Sequence, residues 1–220
     1  ESRRNKIEII KTCYNNIYIA LKRSIYLTLG IIRYKKMNQL DLFGPPQGDR
    51  ETIKINNGEY IYIHNFFEKK IADALLDRFV NNVEWNQEEM NMYGRVVKFP
   101  RLTSWYGDQD KPYSFSGITL RPHPWSKELL YVKEQIEPLC EVSFNSVLLN
   151  LYRDGNDSIS WHTDAEKELG QNPLIASVNF GAERKFQLRH RDTKEKIEIV
   201  LRHGSLLIMK GELQHYWEHQ

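Results

Sequence analysis

From Phe144 to Met209 the chain reads as a succession of short strands with nothing helical between them, and that pattern restricts the fold more than any other feature. Phe144–Arg153, Ala176–Phe180, Lys185–His190, Lys196–Leu201 and Ser205–Met209 are rich in aliphatic, β-branched and aromatic residues and are separated by short polar or Gly-containing connections. Many short strands without crossover helices predict a sandwich or jelly roll. Two helices precede them. Asn65 with Glu68 three residues on marks a helix start, continued by Ile71, Leu75, Phe79 and Val83 at helical spacing. A second begins after Ser126 and carries Leu129, Leu130, Lys133, Ile136 and Leu139, ending near Pro138. Thr52–Ile55 and Glu59–Asn65 predict strands around an Asn56-Asn57-Gly58 turn. The expected class is α+β dominated by β, a jelly roll with helices packed on one sheet.

The folded domain is expected over residues 50–220, preceded by two other regions. In 37–49, Gly44-Pro45-Pro46-Gln47-Gly48-Asp49 breaks any regular element and reads as a linker. In 1–36, Ile7, Ile10, Tyr14, Ile17, Leu21 and Ile25 recur at helical spacing, which predicts an amphipathic helix lying on a membrane surface or on the protein body. Met37 as the biological start, with the preceding residues not native, is the competing reading. A membrane span is not expected. Lys22 and Arg23 cut the apolar stretch into runs about half the roughly 20 residues a spanning helix requires.

Net charge is +2, so a nucleic-acid partner must be argued from local patches. Arg184, Lys185, Arg189, Arg191, Lys194 and Lys196 form one such segment, a candidate phosphate-contact surface. Cys13 and Cys140 have neither disulfide-framework nor zinc spacing and point to a reduced, cytoplasmic protein. A monomer is expected.

The chemistry centres on Trp161-His162-Thr163-Asp164. Extended backbone sends residues i and i+2 to one side, so His162 and Asp164 can share a cation. A third imidazole would complete a two-histidine, one-carboxylate facial triad, which leaves positions open on iron(II). Spacing does not choose among His203, His215 and His219. An isolated His-x-Asp is most often an incidental pair on a solvated loop. The surrounding text changes that weighing. Pro100–Gly107 (PRLTSWYG), Tyr113–Gly117 (YSFSG), Asn145–Tyr152, His162–Leu169 (HTDAEKEL), Ile175–Ala182 (IASVNFGA), His203–Met209 and Trp217-Glu218-His219 occur in order, and together they resemble the AlkB-like family of Fe(II)/2-oxoglutarate-dependent dioxygenases, in its nucleic-acid alkylation repair branch.

The resemblance covers nearly all of 50–220 and implies a double-stranded β-helix form of the jelly roll. It implies Fe(II) and O2 chemistry with 2-oxoglutarate as cosubstrate and His162, Asp164 and His219 as metal ligands. His203 becomes a turn residue and His215 a residue supporting the metal group. Asn150 and Tyr152 would hold 2-oxoglutarate. Arg101, Trp105, Tyr106, Tyr113, Phe115, Ser116 and Glu166 would bind substrate, with Phe115 stacking on the base opposite His162. Tyr93-Gly94-Arg95 would be a hairpin tip that wedges into the base stack. The implied activity is oxidative demethylation of N-alkylated bases in DNA or RNA, of the 1-methyladenine and 3-methylcytosine kind, with release of succinate and formaldehyde. The alternative is a catalytically inactive jelly-roll module that only binds nucleic acid.

Two departures from the family pattern stand out. Ala165 follows the metal-binding Asp where relatives often carry an acid. No Arg-x-Asn-x-Thr-x-Arg strand follows His219, so the chain reads as a fragment lacking its last strand and is expected to bind 2-oxoglutarate poorly. A further resemblance lies outside the domain. Gln39-Leu40-Asp41-Leu42-Phe43 is similar to the short motif that docks bacterial repair proteins on the sliding clamp, where Leu42 and Phe43 would fill an apolar pocket.

Overall fold

A computed structural model describes residues 16–22, 49–92, 94–109, 113–115, 118–120, 122–165 and 169–220. The Asn56–Gly58 turn forms as expected between β2 (Arg50–Ile55) and β3 (Gly58–Ile63), with Asn57 at a φ of 55°. Before them in sequence comes β1 (Asn16–Lys22). Helix α1 spans Lys69–Asn82 and α2 spans Lys127–Cys140, where the Ser126 side chain caps by accepting from Leu129 N at 3.2 Å. Between the helices lie β4 (Glu89–Met92), β5 (Arg95–Lys98), β6 (Leu102–Gly107), β7 (Tyr113–Phe115) and β8 (Ile118–Leu120). After α2 come β9 (Ser146–Tyr152), β10 (Ile175–Gly181), β11 (Arg184–His190), β12 (Lys196–Leu201) and β13 (Leu206–Lys210), then the short α3 (Leu213–Tyr216) and β14 (Trp217–His219). No described helix is long and apolar enough to cross a membrane.

Seven strands form one sheet in the order β2-β3-β13-β10-β1-β9-β6, and β12-β11-β14 form a second, all described pairings being antiparallel. Strand alternation then sorts the large sheet's side chains onto two faces. Ile61, Ile63, Ala176, Val178, Phe180, Leu206 and Ile208 join a core with Ala72, Leu75 and Phe79 of α1 and Leu129, Val132 and Ile136 of α2. Their neighbours Tyr60, Tyr62, Ile175, Leu207 and Met209 face the other way, into a core shared with Phe186, Leu188, Ile199, Leu201 and Trp217. One face carries helices and the other a second sheet, which is the jelly-roll arrangement with helices on one sheet. Cys140 sits at the helix-side core, and burial pushes its thiol pKa up to about 12, so it packs and does not react.

The amphipathic-helix expectation for the N-terminal stretch is not met over the described residues. Asn16–Lys22 is an extended strand, hydrogen-bonded to β9 on one side and β10 on the other. Ile19 and Leu21 enter the helix-side core while Ala20 enters the inner one. Alternating apolar residues satisfy a sheet that buries both faces, and the same residues also fit a helical stripe, so tertiary pairing decided the outcome. Residues 44–48 of the linker and the Gln39–Phe43 motif lie outside the described residues.

Removing residues 1–36 leaves β9 and β10 with unpaired edges facing each other and strips three buried side chains, Ile19, Ala20 and Leu21, from the two cores. The truncated protein should unfold at a lower denaturant midpoint, with a stability loss of at least about 2–5 kcal/mol, the cost of a single large core side chain. Chemical denaturation of both forms checks this, and an unchanged midpoint would show that the strand contributes nothing to the sheet.

Candidate active site

The two candidate histidine ligands meet through their backbones. His162 N donates to His219 O at 3.0 Å and His219 N donates to His162 O at 2.8 Å, an isolated antiparallel bridge that brings the imidazole centroids to 4.1 Å. β14 is itself paired to β11, with Leu188 opposite His219 and His190 opposite Trp217. The Trp217 indole is fully buried and donates to Asn56 O at 2.7 Å, which fixes the tryptophan-any-histidine segment against the β2–β3 turn.

Asp164 sits beside these rings. Ligand atoms of His162, Asp164 and His219 all lie within 4.8 Å of one another, and His219 Nε2 is 3.7 Å from Asp164 Oδ2. Ser160 O accepts from His162 Nδ1 at 2.8 Å, so that nitrogen carries the hydrogen and Nε2 is left as a donor of electrons. Asp164 is 6% exposed and His219 2% exposed. Two imidazole nitrogens and one carboxylate oxygen within this distance are a donor set that suits iron(II), whose charge compensates a buried carboxylate. The donor set therefore fits the metal.

The triad lines a cavity of about 370 Å³. Asn150 and Tyr152, both buried on β9, line it too. Asn150 Oδ1 accepts from Arg101 Nε at 2.9 Å, so its Nδ2 remains as the group that can donate to a ligand. Burial raises the Tyr152 pKa, opposed by the Arg101 and Arg184 guanidinium groups, and the phenol stays a protonated donor.

The expected substrate residues separate. Arg101 contacts Asn150 and lies 4.8 Å over the Phe99 ring, and its pKa is lowered by burial. In the β6–β9 register Thr103 is opposite Asn150 and Trp105 opposite Leu148, both cavity-lining residues, so Trp105 shares the cavity-side face. Tyr106 does not. It is opposite Val147 and buried in the helix-side core with its ring against His123, which corrects the expectation that it binds substrate. Tyr113 and Phe115 lie on β7, but their side chains fall outside the described structure, as do Ser116 and Glu166 altogether.

Other expectations are also revised. His215, expected beside the metal group, is exposed, and its Nε2 accepts from Asn172 N at 3.4 Å. Its neighbour Gln214 takes that position instead, with Oε1 accepting from Asp164 N at 2.8 Å in a fully buried contact. His203 is structural, accepting from Gly181 N at 2.9 Å and contacting Asp73 at 3.1 Å. The basic segment is largely tied down. Lys185 pairs with Glu198 at 3.0 Å and Arg189 with Glu218 at 2.5 Å while stacking on Trp161, and Arg184 turns toward the cavity. Gly94, with a φ of 78°, does form the expected turn between β4 and β5. Gln214 belongs to none of the sequence motifs, and only its spatial contact with Asp164 reveals it.

Residues 59–220 match the family model described as the 2OG-Fe(II) oxygenase superfamily. The chain is 41% identical over 165 residues to alpha-ketoglutarate-dependent dioxygenase alkB homolog 3 of Bos taurus, an alignment covering 70% of this chain and 57% of that protein. It is 38% identical over 164 residues to DNA oxidative demethylase ALKBH2 of Mus musculus, covering 70% of this chain and 69% of that protein. Against DNA oxidative demethylase ALKBH2 of Arabidopsis thaliana the identity is 29% over 205 residues, covering 77% and 63%. The chain thus spans little more than half the length of the alkB homolog 3 relatives it matches. With the ligand triad in the wall of an inner jelly-roll cavity and a family match running through both histidines, the chain is an AlkB-like member of the 2OG-Fe(II) oxygenase superfamily.

Proposed function

We propose that the protein oxidatively demethylates N-methylated bases in DNA or RNA, with lesions on the Watson–Crick edge such as 1-methyladenine and 3-methylcytosine as substrates. The observation that carries this reading is the convergence of His162, Asp164 and His219 in the wall of a cavity that also holds Asn150 and Tyr152. The names of the relatives, a dioxygenase and DNA oxidative demethylases, support the same reading.

Iron(II) held by the triad would supply the oxidising chemistry, with 2-oxoglutarate and dioxygen consumed and the methyl group leaving as formaldehyde. The chain's own contribution is positioning. Asn150 Nδ2 and the Tyr152 hydroxyl donate to carboxylate or ketone oxygens of the cosubstrate, and Arg101 keeps the Asn150 amide turned the right way. The Ser160 carbonyl fixes the His162 tautomer, and Gln214 holds the backbone of Asp164. A target base must leave the stack to reach this site. Trp105, on the cavity-side face, and Phe115 and Tyr113 on β7 are assigned to receiving it.

In the intact protein, formaldehyde release from a methylated oligonucleotide should require Fe(II), 2-oxoglutarate and oxygen together, and Asp164→Ala should abolish it along with iron binding. Turnover persisting in that variant would sink the mechanism. Gln214→Ala should keep the ligands yet weaken iron binding roughly 10- to 100-fold, the usual effect of removing a residue that orients a ligand. Metal titration separates the two variants.

We extend the proposal to one partner. Gln39-Leu40-Asp41-Leu42-Phe43 precedes the Gly44–Asp49 linker in sequence and has the residue pattern that docks in an apolar groove of the bacterial sliding clamp. A labelled 37–49 peptide titrated with a bacterial clamp should bind saturably and lose binding on combined Leu42→Ala and Phe43→Ala. Absence of binding at high micromolar concentration would remove the clamp as a partner.

A further inference from the structure

The contact that brings the two candidate histidine ligands together is short for its task. His162 and His219 exchange two backbone hydrogen bonds in an isolated bridge, and the net stabilisation from two such bonds is modest. The loop carrying His162 is held on either side, by Ser158 N donating to Pro100 O at 2.8 Å and by Gln214 on Asp164 N. Trp161 and His162 lie between these anchors.

Arg189 of β11 reaches that stretch from two strands away. β14 runs between them, since His219 turns its N–H and carbonyl to His162 while Gln220 turns its own to Gln187 of β11. Arg189 is opposite Glu218 in this register, and its Nε and Nη2 both donate to Glu218 Oε2, at 3.2 and 2.5 Å. Its guanidinium carbon then lies 4.2 Å from the centroid of the Trp161 ring. One side chain thus holds the residue before His219 by charge and the residue before His162 by a flat cationic face. Leu188 and His190 on either side of it are buried, so the contact sits on the outer face of the second sheet. On the inner face the Phe186 ring stacks on His219 at 5.4 Å.

A second ion pair on the same strand gives the comparison. Lys185 meets Glu198 at 3.0 Å, joining β11 to β12 on the side away from both histidines, with side chains 70% and 41% exposed. Arg189 and Glu218 are only 29% and 28% exposed, and their pair continues into an aromatic contact.

We infer that Arg189 is a positioning residue for the metal centre: it clamps the Trp161-His162 stretch onto β14 and so holds the two imidazoles in ligand register. The inference rests on the reading of His162, Asp164 and His219 as an iron site. It also takes Arg189 out of the phosphate-contact surface expected from the sequence, because its flat face and two of its donors are committed to the clamp.

Anaerobic titration of the intact, metal-stripped protein with Fe(II), and with Co(II) followed by its ligand-field absorption, reads the site without turnover. Circular dichroism selects conditions in which every variant is folded. Arg189→Met keeps the chain length but loses charge and plane, and should weaken both metals about 10- to 100-fold and shift the Co(II) bands. Trp161→Ala should do the same, and the double variant should bind no worse than the weaker single one, because the two residues form one contact. Arg189→Lys keeps the pair with Glu218 and should recover part of the loss. Glu198→Gln removes the other ion pair and should leave metal affinity within about twofold and the bands unmoved. Unchanged affinity and bands in Arg189→Met would overturn the inference. Equal losses in Arg189→Met and Glu198→Gln, or additive losses in the double variant, would do so as well. In each of those cases the wild type still binds iron and the dioxygenase reading stands. A wild type that binds neither metal removes both.

Discussion

The reciprocal backbone hydrogen bonds between His162 and His219 are the constraint on which the rest of the site depends. They join a loop following β9 to a three-residue strand near the end of the sequence, and the two imidazoles meet because the peptide groups beneath them are locked. β14 is too short to hold its place alone. Its register comes from β11 and from Trp217, whose buried ring and bond to Asn56 anchor the strand to the first hairpin. The placement of the ligand side chains is therefore set by the second sheet and by the β2–β3 turn, and Asp164 is added to it by the Gln214 amide.

The large sheet pays for this site on one face only. Toward the helices its buried residues are apolar apart from Ser104 on β6, and the core there resembles that of any layered domain. On the inner face the alternation brings Asn150, Ser177 and Asn179 into positions that a fully packed sandwich would give to aliphatic side chains. Ser177 and Asn179 leave hydrogen-bonding atoms without partners. Local rules broken at one place in an otherwise consistent fold mark that place as functional.

How much of this was legible in the sequence follows from how local each signal is. Strands β9 to β13 and both long helices were readable, since alternation, helical spacing, the Ser126 cap and the Asn57 turn are short-range features. The triad was readable only in part from chemistry. The His162–Asp164 spacing suggested a shared cation, but choosing His219 needed the family pattern, because pairing across the domain leaves no trace in spacing. Gln214 was missed in favour of its neighbour His215. A histidine looks like a metal-site residue, yet α3 turns it outward and buries the glutamine. β1 was missed because it has no sequence-adjacent partner. A strand inserted between β9 and β10 is defined by those strands, and its own residues suit a helix as well.

The Pro100–Gly107 segment shows why a motif assigned to one task can be divided between two. Its strand pairs antiparallel with β9, so each residue's face is dictated by its opposite number there. Thr103 and Trp105, opposite Asn150 and Leu148, inherit the cavity side. Tyr106, opposite Val147, inherits the core. Arg101, just before the strand, reaches Asn150 through its Nε and is desolvated enough that its pKa falls. A guanidinium removed from water keeps its charge by pairing with the amide oxygen and by the nearby Asp157 and Tyr152. The Pro100–Gly107 segment is thus bonded directly to the cavity wall through Arg101 and Asn150. Under the proposed function, any movement of this segment on base binding would carry Arg101 with it and alter the amide assigned to 2-oxoglutarate, so the register of β6 on β9 would couple base to cosubstrate.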